Sequence, residues 1–172
     1  MAVDFSNTLI VAISATALFD LTESENYLLQ LLSERPNSAV KEFRDYMMHR
    51  EEESLNIGAG YPLIKALLNL NTYCDNQGML DSNQTAPLVE VVIVSKSSPD
   101  TGIQVLNAIR EQGLNISRSA FISGNLVAPY IADFKVDLFL TTNRDDAQQV
   151  TDAQICACAI LDATPVNTYQ LD

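Results

Sequence analysis

Five short apolar runs, separated by segments with helical spacing, constrain this fold more than any other feature. They are Leu9–Ile13, Val89–Val94, Ala120–Ile122, Val136–Leu140 and Cys156–Leu161. Runs this short, bounded by turn residues, read as buried strands. Strands that alternate with helices read as an α/β fold with a parallel sheet. Right-handed crossovers then place helices on both faces.

The expected helices span Glu23–Ser33, about Ala39–Glu53, a segment opening at Pro62, Thr101–Gln112, a segment through Phe134, and a segment from Asn143 through Ala153. Thr22 with Glu25 three residues on predicts a capping box, Asp100 predicts a cap for the Thr101 helix, and Gly113 predicts its end. Inward faces are expected at Val40, Phe43 and Met47, at Leu63, Ile64, Leu67, Leu68 and Leu70, and at Ile103, Leu106 and Ile109. Asp75–Pro87 reads as a surface loop and Asp162–Asp172 as a polar tail. The stretch from Leu21 to Pro87 is longer than one crossover needs, so it reads as a helical cap inserted after the first strand. The expected organisation is one domain over 1–172, with its core at 1–20 and 88–172 and the helical insertion at about 21–87.

Composition narrows the partners. The 22 acidic residues against 10 basic ones give a formal net charge of −12. That disfavours a nucleic-acid backbone or an anionic membrane, both of which attract positive surfaces. A small phosphate ligand stays possible, because a helix N-terminus holds one without net positive charge. Three cysteines, Cys74, Cys156 and Cys158, fit buried thiols in a reducing compartment better than a disulfide framework. The start MAVDFSNTLIVAIS has no basic n-region and its apolar run is short, so a soluble, cytoplasmic protein is expected.

The carboxyl ends of parallel strands open into the crevice where such folds bind ligands. Here those ends are Ser14 and Thr16, then Ser95 and Lys96, then Ser123-Gly124-Asn125, then Thr141-Thr142-Asn143. No strand is followed by Gly-x-Gly-x-x-Gly or by Gly-x-x-x-x-Gly-Lys, so dinucleotide and P-loop binding are unsupported. His49, the single histidine, falls on an expected cap helix, which argues against a Ser-His-Asp triad. One by one, these polar residues could simply cap the helices that follow. Together, a ring of hydroxyls, amides and one lysine suggests an anion pocket or the remnant of one.

Several stretches, in this order and over nearly the whole chain, resemble the cytosolic type-I 5′-nucleotidases of the haloacid-dehalogenase-like superfamily. They are IVAISATALFDLTESE, GAGYPLIKALLNLN, VEVVIVSKSSPDTGIQVLNAIREQGL and AFISGNLVAPYIADFKVDLFLTTNRDD, with Ser97-Ser98-Pro99-Asp100-Thr101-Gly102 the most specific phrase. The resemblance implies a three-layer Rossmannoid fold, a five-stranded parallel sheet and a helical cap after strand one. It also implies a departure. The family's longer chains look like two tandem units, with an Asp-x-Asp motif in the second, and this chain resembles the first. On that pattern Ser14 takes the place of the nucleophile and Thr16 that of the acid/base. Ser95 retains the phosphate-holding hydroxyl. Val127 stands where a lysine is expected, while Lys135 lies at the wrong end of its helix. Thr141 and Thr142 replace the acidic pair that holds magnesium, with Asp145 and Asp146 a helical turn later as weak candidates.

A carboxylate nucleophile forms an aspartyl-phosphate, and magnesium offsets the charge brought together. Such residues act as a unit, so their joint loss predicts no hydrolysis by this chain alone. Three functions stay open at this point. The chain could be a non-catalytic unit that packs on a catalytic unit of the same family or on itself. It could be a free-standing module that binds phosphate or a nucleoside monophosphate through Ser95, Lys96, Ser123, Gly124 and Asn125. Or it could be a magnesium-dependent phosphatase using Asp20, Asp145 or Asp146. No cofactor is expected for the chain alone, and magnesium is implied only for the family.

Overall fold

The computed structural model describes residues 4–76 and 86–162. Five strands, β1 (Leu9–Ile13), β2 (Val89–Ser95), β3 (Arg118–Phe121), β4 (Leu138–Thr141) and β5 (Ala157–Ile160), form one sheet in the order β3-β2-β1-β4-β5. Every pairing is parallel. Among the described residues seven helices connect them: α1 (Ala15–Leu18), α2 (Thr22–Glu34), α3 (Ala39–Met48), α4 (Tyr61–Asn76), α5 (Pro99–Glu111), α6 (Ala128–Asp133) and α7 (Arg144–Asp152).

Alternation along the central strands sorts the core into two layers. Val11, Ile13, Val91 and Ile93 face Ile64 of α4 and Val105, Ala108 and Ile109 of α5. Ile10, Ala12, Val92, Val94 and Phe139 face Ile131 of α6 and Val150 of α7. The result is a three-layer α/β fold. The helices α2 and α3 share their own small cluster, Leu31, Ala39, Phe43 and Met47. They stand beside α5, where Gln104 Nε2 donates to the Glu53 carbonyl (3.1 Å) and Asn107 Nδ2 to that of Glu51 (2.9 Å).

The chain winds outward from β1 through β2 to β3, then returns to β4 on the other side of β1. The carboxyl ends of β1 and β4 therefore flank the switch point, the place where an open parallel sheet leaves a crevice.

Local details depart from expectation for identifiable reasons. Thr22 does not cap α2 but lies inside it. The cap position is Leu21, with no side-chain hydrogen bond, and the Thr22 amide donates instead to Asp20 Oδ1 (3.0 Å). Ser98, not Asp100, caps α5, accepting from the Thr101 amide (3.3 Å) with Pro99 at the first helical turn. Gly113 ends that helix at φ +64°, as expected for its position. The inner face of α5 is Val105, Ala108 and Ile109, while Ile103 points outward. Val40, Leu63 and Leu70 are likewise exposed. The α3 helix stops at Met48 rather than Glu53, and His49 folds back with Nδ1 at 2.6 Å from the Asp45 carbonyl. Strand β3 begins two residues earlier than expected. Most of the Asp75–Pro87 loop and of the Asp162–Asp172 tail lies outside the described residues.

Candidate functional site: a hydroxyl-lined crevice under a helical cap

Strand β1 delivers its last residue into a sharp turn. Ser14 is buried and caps the four-residue helix α1, its Oγ accepting from the Ala17 amide (3.3 Å). The turn is clamped from behind. The amides of Gly58 and Gly60 donate to the carbonyls of Leu18 and Ala17, both at 2.8 Å. A Cβ at Gly58 would sit 2.6 Å from the Ala17 carbonyl oxygen, so only glycine permits this approach.

From this turn a hydrogen-bonded row of hydroxyls runs across the switch point. Ser14 Oγ lies 3.2 Å from Thr16 Oγ1, which lies 2.8 Å from Thr142 Oγ1. Thr141, fully buried at the end of β4, accepts from the Asn143 amide (3.1 Å). Asn143 in turn caps α7 through the Asp146 amide (3.1 Å). At the end of β2, Ser95 Oγ lies 3.1 Å from Ser97 Oγ. Lys96 crosses the crevice to form an ion pair with Asp146, whose side chain is 5% exposed against 31% for the lysine.

Above these strand ends, α2 and α3 close a cavity of about 650 Å³. Its floor is the hydroxyl row with Lys96 and Asp146; its far wall is Leu28, Leu32 and Val40, with Arg44 and Glu25 at the sides. Arg44 Nε pairs with Asp100 at 3.4 Å. The Glu25 carboxyl is held above the usual range, first by desolvation and then by the charge of Asp20.

A protein-family model described as 5′-nucleotidase matches residues 1–171. The chain belongs to the 5′-nucleotidase family. Its three-layer parallel sheet is the haloacid-dehalogenase-like architecture of that family. No solved structure matches the chain. No helix among the described residues is long and apolar enough to cross a membrane.

The residues singled out in the sequence fall into two groups. Ser14, Thr16, Ser95, Lys96, Ser123, Gly124, Thr141 and Asp146 line the cavity, and Thr142 joins them through Thr16. Four others stand apart. Val127 is fully buried in the α6–α7 side of the core. Asn125 turns back to donate to the Ile122 carbonyl (2.8 Å). Asp145 is exposed on α7. Asp20 borders a separate small pocket with Arg50 and Asn56. The cap side of the cavity, Glu25, Leu28, Leu32, Val40 and Arg44, carries no site motif in the sequence. The available signal was apolar residues such as Leu32 and Val40 that bury nothing on their own helices.

A magnesium site of the kind the family implies does not fit these donors. A hard cation needs several anionic or carbonyl oxygens converging on one point. The β1 and β4 ends offer neutral hydroxyls, and the one carboxylate in the floor is already paired with Lys96. Among the described residues no group of three metal-ligating side chains converges anywhere.

Proposed function

We propose that this chain is a non-catalytic unit of the 5′-nucleotidase family, one that serves a catalytic unit of the same family rather than hydrolysing nucleotides itself. The observation that carries this is the row Ser14–Thr16–Thr142 at the switch point, hydroxyls where phosphoryl transfer needs carboxylates. A serine with no adjacent base is a weak nucleophile. Ser14 Oγ is also engaged as a helix cap, and its side-chain hydrogen-bond partner is the neutral hydroxyl of Thr16. Without a nucleophile, an acid/base group or a cation site, the transition-state charge goes unanswered. The partner is a second unit of this family or a second copy of this chain. Cys74, Cys156 and Cys158 are free thiols, which agrees with a cytoplasmic location.

The test is phosphate release from a panel of nucleoside 5′-monophosphates with magnesium, run beside Asp145→Asn and Asp146→Asn. No release above background is expected from any of the three proteins. Release by the unaltered chain would overturn the reading, and loss of that release in either variant would point to an unorthodox phosphatase.

A second reading is favoured by the cavity itself: the crevice has kept its volume under the cap, as a ligand-binding module would require.

A further inference from the structure

We propose that the crevice under the cap is a binding site for an uncharged nucleoside, and that it discriminates against the 5′-phosphate. The inference rests on the non-catalytic reading above and names the ligand class of that same site.

Charge makes the first argument. Each cation that borders the cavity has its own carboxylate: Lys96 has Asp146 and Arg44 has Asp100. Glu25 adds an acidic group with no cation of its own in the cavity. The first turns of α5 and α7 carry these same two acids, Asp100 and Asp146, so the helix N-termini that open here already face negative charge. A phosphate dianion would have to share the single positive charge of Lys96 with the buried Asp146 carboxylate and sit in a cavity that Glu25 also lines, so the site would be left with excess negative charge.

The lining makes the second. A sugar hydroxyl both donates and accepts, so it can join the Ser14–Thr16–Thr142 row without any change of charge. The opposite wall, Leu28, Leu32 and Val40, offers apolar contact to a flat base. The cavity volume of about 650 Å³ lies within the usual range for sites of small ligands.

The experiment is calorimetric titration of the full chain with adenosine, guanosine, cytidine and uridine, each beside its 5′-monophosphate, and with inorganic phosphate. At least one nucleoside is expected to bind about tenfold or more tightly than its monophosphate, with no heat from inorganic phosphate. Asp146→Asn releases Lys96 and should shrink that preference by about tenfold. Val40→Glu, on an exposed position of the wall, should weaken the nucleoside by a similar factor and keeps the proposal testable if the Asp146 variant fails to fold. Equal or tighter binding of the monophosphate by the unaltered chain would overturn the proposal. So would silence from all four nucleosides, or an unaffected Val40→Glu variant. Phosphate release in the assay above would sink the non-catalytic reading. Its absence, together with absent nucleoside binding, would sink this inference alone.

Discussion

The two ends of the sheet use polar side chains in opposite ways. At the amino end they brace. Arg118 of β3 forks onto Glu90 of β2 at 2.6 and 2.7 Å, with its guanidinium about 5 Å from the rings of Phe5 and Phe134. Asp137 accepts from the Ile10 amide at 2.8 Å and ties the start of β4 to β1. At the carboxyl end the groups are mostly neutral, bond chiefly to one another, and leave an open volume between themselves and the cap. The comparison separates what holds this fold from what a relative would use for chemistry. The braces lie far from the crevice, so chemistry could be removed from one end without loosening the other.

The largest effect is expected from placing acids at the carboxyl end. Ser14→Asp with Thr16→Asp places two carboxylates side by side at the crevice floor, where no cation is free to offset them. Their folded-state pKa values rise above the unfolded ones, so the penalty is absent in acid and grows as pH rises through the raised values. The double variant should lose about 3 kcal/mol near neutral pH and recover below the ordinary aspartate range, read from urea midpoints across pH. A flat pH dependence would show that the crevice tolerates charge, against the view that its hydroxyls relieve repulsion.

A smaller loss should follow at the amino end. Arg118→Ala strips the partner from Glu90, whose side chain is 11% exposed, and removes both ring contacts. The expected cost is about 2 kcal/mol in urea unfolding, less than a fully buried pair because Arg118 keeps some solvent. A cost near zero would strip the amino end of its bracing role.

The smallest effect is expected at the cap. The Glu25 carboxyl is pushed up by desolvation and then by Asp20, so it costs the folded chain stability as pH rises from the ordinary glutamate value through the raised one. Glu25→Gln should be the more stable protein near neutral pH and equal to the parent in acid, a difference read from thermal unfolding at both conditions. A variant less stable at neutral pH would mean that the carboxylate is held by a favourable contact.

How much of this was legible depends on whether a residue's surroundings are local. β1 and β2 are read easily because both faces are covered, leaving apolar runs that only Glu90 interrupts before the polar end of β2. β3 is an edge strand carrying Arg118 and Ser119, so its start is not marked by apolarity. Ser14, Thr16, Ser95 and Thr141 could be placed at the crevice because strand ends converge in any parallel sheet. The Lys96–Asp146 pair and the cap wall could not. They depend on the stagger of β2 against β4 and on how α2 and α3 lean, which no short window of sequence records. The capping box at Thr22 misled because Asp20, two residues earlier, competes for the same amide.

The cap is attached to the core through a paired neck. The chain leaves the core at Phe19 and Asp20 and comes back at Asn56 and Ile57. There the two passing strands pair, Phe19 with Ile57 as an antiparallel bridge and the Asp20 amide with the Asn56 carbonyl at 2.9 Å. Exit and return are thus stitched into a neck, and the helices beyond it hang from the core as a closed loop. A loop whose ends already meet can be excised, lengthened or exchanged at that seam with little entropic cost to what remains. The cap therefore meets the sheet through this neck and through its contacts with α5, and changes in its helices leave the strand ends of the crevice floor covalently undisturbed.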